Sequence, residues 1–146
     1  MQRVERSARI GAPPATVFAY LADLGNLSEW QMGVVSAEQT SEGEIGVGST
    51  AQVVRELMGQ RITAPLTVTE YEPPNRLGIG SEVSGVKATG ALELTAAGDD
   101  ATDLRFVMEI RGSMLTSFME PMIARAAEGD IEASLQRVKA RFDPAT

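Results

Sequence analysis

The stretch from Ser117 to Phe142 constrains this chain more than any other. Its second half places Ile131, Leu135, Val138 and Phe142 at i, i+4, i+7 and i+11, with Glu132, Gln136, Arg137, Lys139 and Arg141 between them. An apolar stripe of that period marks an amphipathic helix and excludes a strand. Ser117 followed by Glu120 reads as a capping box, and Pro121 suits the first turn or the first helical position. Such a helix is roughly 35–40 Å long. It needs a broad apolar surface to lie on, and the upstream sequence has the texture of a sheet.

Val4 to Ile10 alternates as a first strand, and Gly11-Ala12-Pro13-Pro14 stops it and seeds a helix. Val17, Phe18, Leu21, Ala22 and Leu24 recur at helical spacing, Gly25-Asn26 breaks the run, and Leu27 to Trp30 forms a second short helix. From Gly46 onward the pattern becomes β. Strands are expected at Thr50–Leu57, Arg61–Tyr71, Leu77–Glu82, Lys87–Thr95 and Thr102–Arg111, joined by short turns such as Met58-Gly59-Gln60 and Glu72-Pro73-Pro74-Asn75-Arg76. Short connections between consecutive strands imply an antiparallel meander. The expected fold is α+β: about six strands of curved antiparallel sheet wrapped around a long C-terminal helix, with two short helices after the first strand. Residues 1–146 read as a single domain.

The face turned toward the helix alternates large and small side chains, with Ala64, Ala88, Gly90 and Gly80 among Leu66, Leu92, Phe106 and Met108. An ordinary filled core and an apolar cavity under the helix both fit that pattern. Val68, Ile79, Trp30, Ile123, Met119 and Met122 complete the expected lining, the methionines (with Met114) as a soft lid over the entrance. Met122, Ile123 and Ala126 point nearly opposite to the Ile131–Phe142 stripe. That predicts a bend at Gly129; the alternative is a straight helix showing the sheet only Ala124 and Ala127, its methionines outward and available to a homodimer.

Composition narrows the chemistry. The chain has no cysteine and no histidine, which removes thiolate nucleophiles and the commonest general base and metal ligand. A net charge of −7 argues against nucleic acid, and no apolar run reaches membrane-spanning length, so a cytoplasmic protein without membrane insertion is expected. No loop has the carboxylate spacing of a calcium or magnesium site, and neither glycine pair opens into a helix as a phosphate loop does, so no metal or cofactor is expected. Glu70, Tyr71 and Tyr20 remain as weak acid/base candidates. Glu70 and Glu56 share strands with inward residues and would act as acids only if buried; surface roles are the simpler reading. Arg105, Glu109 and Arg111 read as cross-strand pairs on the outer face.

The order of elements, the motif I-x-A-P-P-x-x-V-F-x-x-L-x-D from Ile10 to Asp23, Trp30 beyond it, G-V-G-S from Gly46, V-T-E-Y-E-P-P from Val68 and L-x-x-V-K-x-x-F from Leu135 together resemble the START/Bet v 1-like (SRPBCC) superfamily, and most of all its polyketide cyclase/dehydrase-like branch. The resemblance implies a helix-grip fold with a hydrophobic tunnel, in a group whose members bind lipids, sterols or polyketides and of which a minority are enzymes. The first expectation is a non-catalytic binder of a small hydrophobic, lipid- or polyketide-like molecule. The alternatives are a polyketide cyclase, aromatase or dehydratase using pocket carboxylate or tyrosine hydroxyls, and an interaction module with a filled interior.

Overall fold

The computed structural model describes residues 2–57, 59–83, 85–112 and 120–142. The elements run β1 (Gln2–Ile10), α1 (Pro14–Ala22), a 3-10 turn (Leu24–Asn26), α2 (Leu27–Trp30), β2 (Val34–Gln39), β3 (Thr50–Leu57), β4 (Gln60–Glu72), β5 (Arg76–Val83), β6 (Val86–Ala96), β7 (Thr102–Gly112) and α3 (Glu120–Phe142). The strands form one antiparallel sheet in the order β1-β7-β6-β5-β4-β3-β2, so the first strand closes onto the last and the rest is a meander. One strand more is present than the alternation predicts. The short β2 carries residues of mixed exposure and pairs only with β3.

Pro14 opens α1 as its first residue, Asp23 caps the following turn by accepting from the Gly25 N–H at 3.0 Å, and α2 ends at Trp30. These pieces bring Val17, Phe18, Leu21, Leu24, Leu27 and Trp30 against the sheet, all buried. The long helix lies along β1 and β7 and against the end of α2, and its backbone stands farther from the middle strands.

The helix is continuous through Gly129. Its buried residues, Glu120, Ala124, Ile131, Ser134, Leu135 and Val138, fall on one stripe at spacings of three and four. No bend is needed to account for that pattern, and Met122 is 53% exposed on the opposite side. The burial is close to that of the straight helix: Ala124 is buried and Ala127 half-buried on the core side, with Ile123 packed beside them. Ser117 and the capping box built on it lie outside the described residues, as do Met114 and Met119.

On the outer face, alternating charges run across five strands. Glu70 meets Arg76 at 2.6 Å, Arg76 meets Glu93 at 3.4 Å, Arg105 bridges Glu93 at 3.2 Å and Glu5 at 2.6 Å, and Arg3 reaches Glu5 at 3.5 Å. Arg9 and Asp103 add a pair at 2.9 Å. The guanidinium hydrogen bonds hold the Glu5 and Asp103 carboxyls below their usual pKa.

Candidate functional site

The inner face of the sheet differs between its two ends. Toward the β4–β5 turn, Leu66, Val68, Leu77, Leu92, Leu94 and Leu104 are buried. Toward the β3–β4 and β5–β6 hairpins, the inward side chains Ile62, Ala88 and Met108 are only half-buried, although Ile110, opposite Ala88, is buried. Across from them the first half of α3 contributes Ile123 and Ala127, also half-buried and packed on the core. This end, between two sheet hairpins and the start of the helix, is the candidate mouth of an interior site.

Most of the expected lining converges on this face. Ile79, Gly90 and Phe106 sit between its two ends: a Cβ added to Gly90 would meet the Phe106 Cε1 at 3.2 Å and the Ile79 Cγ1 at 3.5 Å. Gly90 is opposite Met108 on one side and Ile79 on the other, so a missing side chain lies between two large ones. Trp30 is buried and tilts against Phe106 with ring centroids 6.4 Å apart. Two positions differ from expectation. Gly80 faces outward, against the methyls of Thr69 and Thr89, because Leu77 and Ile79 take the inward positions on β5. Met122 points away from the sheet, since α3 buries the stripe through Ala124 instead.

Glu70 also leaves the interior. The ladder between β4 and β5 slips between Val68 and Glu70, where Thr69 and Glu70 together stand in for one position. Such a bulge reverses inward and outward sides beyond it. Glu70 therefore joins the outer charge ladder on Arg76, and Tyr71, opposite the buried Leu77, turns inward. The Tyr71 ring meets Phe18 edge-on at 5.5 Å, at the closed end of the sheet. Glu56 is exposed. Tyr20 covers the far end of the core, with Phe142 edge-on at 5.4 Å and its hydroxyl donating to the Glu29 carboxylate at 3.2 Å. Burial, then the Glu29 charge, raise its pKa, which keeps it a protonated donor.

The residue that sequence reasoning missed is Arg55. It shares the inward side of β3 with the buried Ala51 and Val53, and it sits opposite Ile62 at the mouth end. With its carboxamide oxygen turned toward the guanidinium, Gln31 accepts from both terminal nitrogens at 3.0 and 3.2 Å. Burial lowers the Arg55 pKa, opposed by the charge of Asp130 on α3. Burial likewise raises the Asp130 carboxyl, which Arg55 partly offsets. Ser134 locks this corner: its hydroxyl accepts from the Met32 N–H at 2.8 Å and donates to the Asp130 carbonyl at 2.7 Å. A desolvated guanidinium held by a neutral acceptor can still bind an anion or a polarised carbonyl. The adjacent Val53 and Val54, both apolar, hide which side of β3 is inward; continuing the side of Ala51 and Val53 by two residues would have found Arg55.

Among the described residues no group of three or more carboxylates is placed to hold a metal ion, and no helix is long and apolar enough to cross a membrane.

A curved antiparallel sheet gripping a terminal helix, with two short helices at one end, is the START-like architecture. Residues 1–143 match the polyketide cyclase/dehydrase and lipid transport family, and the chain belongs to it. The uncharacterized protein Rv1546 of Mycobacterium tuberculosis is 29% identical over 139 residues, covering 94% of this chain and 96% of that protein. A START superfamily protein from Mycobacterium smegmatis superposes with a TM-score of 0.81 at 15% identity, over 96% of both chains. The Zhui aromatase/cyclase from Streptomyces sp. R1128 superposes with a TM-score of 0.80 at 16% identity, over 97% of this chain and 93% of that one. At such identities these structures share the fold.

Proposed function

We propose that this protein binds a small hydrophobic molecule, lipid- or polyketide-like, between the inner face of the sheet and the first half of α3, and does not convert it. The observation that carries this reading is a half-exposed patch on an otherwise buried apolar face: Ile62, Ala88, Met108 and Ile123, flanked by the wholly buried Val4 and Ile110 and by the buried leucines of the other end. A core filled throughout would bury that patch as well. Family membership supports an apolar ligand, and Arg55 at the mouth suits one with a polar or anionic end. The test uses Nile red, an apolar dye whose emission reports its surroundings. Wild type should bind it saturably, near one to one. Ala88→Trp should abolish binding while leaving the unfolding midpoint close to wild type, because a site of ligand size accommodates the ring. A protein that never binds the dye and unfolds on Ala88→Trp has a filled interior.

A second reading, a cyclase-type enzyme, is favoured by Arg55 alone. A fixed guanidinium in a water-poor site can stabilise negative charge developing on a carbonyl oxygen. Native mass spectrometry of gently purified protein, followed by incubation with whatever co-purifies, separates the two: a binder returns the molecule unchanged, an enzyme returns a dehydrated or cyclised product.

A further inference from the structure

The opposite end of the sheet holds a second concavity, outside the sheet–helix interior. It is a groove of about 700 Å³ between α1, the loop after β2 and the turn after β4. That volume falls within the ordinary range of ligand sites. Its wall on one side is Phe18 with the exposed Ala19 on α1, and on the other Tyr71, re-aimed to this end by the bulge at Thr69 and Glu70. Ile45 closes the third side. Bulges that redirect one side chain are concentrated beside functional sites. The loop wall is fixed in shape, because the Gln39 side-chain amide donates to the Ser41 and Gly43 carbonyls at 3.0 and 3.1 Å, and the Gly46 N–H donates to the Ser49 hydroxyl at 2.9 Å. A pre-shaped wall lowers the ordering cost of binding.

The charge in this groove has one sign. Among the described residues, Asp23 and Glu44 are its only ionisable side chains apart from the Tyr71 phenol, and no lysine or arginine lines it. The half-buried Tyr71 ring, backed edge-on by the buried Phe18, and two carboxylates around an apolar floor complement an aromatic cation: the tyrosine ring attracts positive charge, and the carboxylates exclude anions. We infer that this groove is a second ligand site, selective for amphipathic aromatic cations, and that it works independently of the interior.

The test compares crystal violet, a permanently cationic triarylmethane, with bromophenol blue, an anionic one of similar size, by equilibrium dialysis on the full chain. Wild type should bind crystal violet saturably at one site and bromophenol blue at least about tenfold more weakly. Ala19→Trp fills the groove from an exposed helix position and should abolish crystal violet binding without altering Nile red binding. Glu44→Gln should weaken it by about two- to fivefold, the scale of one exposed charge contact. Ala88→Trp, which blocks the interior, should leave it unchanged. If Ala19→Trp does not fold, Ala15→Trp on the same wall replaces it. Equal binding of the two dyes, no saturable binding, binding that survives a folded groove-filling variant, or binding lost in Ala88→Trp each overturns the inference. The last outcome alone would assign the cation to the interior.

Discussion

Leu104 and Met108 lie on the same face of β7, yet the first is wholly buried and the second half-exposed. Leu104 sits opposite Leu94 and Ala8, at the end where α1 covers the sheet; Met108 sits opposite Gly90 and Val4, at the end where α3 begins. The same apolar face is thus closed at Leu104, partly open at Met108 and closed again at Ile110, which is 1% exposed. Apolar character is nearly constant along the strand, so hydrophobicity does not distinguish the ends. What differs is the neighbour: a leucine at one end, a glycine at the other, with Arg55 on the rim.

Truncation should expose that difference most strongly. Leu104→Ala should cost about 2–5 kcal/mol in denaturant unfolding. Met108→Ala should cost no more than about 1 kcal/mol, since little of a full cavity is created. Equal costs would mean that the mouth end is as tightly packed as the core. Next in size, Gly78→Ala tests the bulge. A Cβ there would stand 2.8 Å from the Thr69 Oγ1 and 3.0 Å from the Glu70 Cβ, so β4 must shift, at about 1–3 kcal/mol, and the quantum yield of Tyr71 should change with it. Gly129→Ala goes the other way. Nothing lies within 4 Å of an added Cβ, so helix propensity should stabilise the protein by roughly 0.5–1 kcal/mol. A loss of stability there would restore the bend.

The smallest effect belongs to the outer face. Glu5 and Asp103 have folded pKa values below their unfolded ones, so their contribution is present above the unfolded values and fades as pH falls through the folded ones. Arg9→Gln should slightly flatten the acid limb of a stability–pH profile and leave neutral pH almost unchanged. Half-molar salt should shrink the difference, because both partners are exposed.

Much of this was legible in the residues. The stripe from Ile131 to Phe142 and the alternation from Leu104 to Ile110 each have one period and one possible face, and both elements are where that period puts them. Besides Arg55, three features escaped for three reasons. β2 has one neighbour and lies at the sheet margin, so it needs no clean alternation. The bulge that keeps Glu70 on the surface, its simpler reading, and turns Tyr71 inward reverses phase without changing composition; Gly78, facing it across the ladder, was the available clue. Met122 was expected inward through a bend at Gly129; the burial follows the alternative, in which Ala124 takes that position and Met122 faces out.

The sheet is open, and its two margins are treated differently. β1 is shielded by α3, with Arg6 reaching Glu128 at 3.7 Å. β2 packs against the 3-10 turn and α2, yet it displays Val35, 38% exposed. The free edge of a marginal strand is a template on which another chain can add by backbone hydrogen bonding. The register shift between Val34 and Ser36 interrupts the row of donors and acceptors, and Glu38 places a charge along it. The irregularity that made β2 hard to recognise is thereby a guard against self-association: a β2 straightened to an ideal strand would pair more readily with its own copies than with β3 alone.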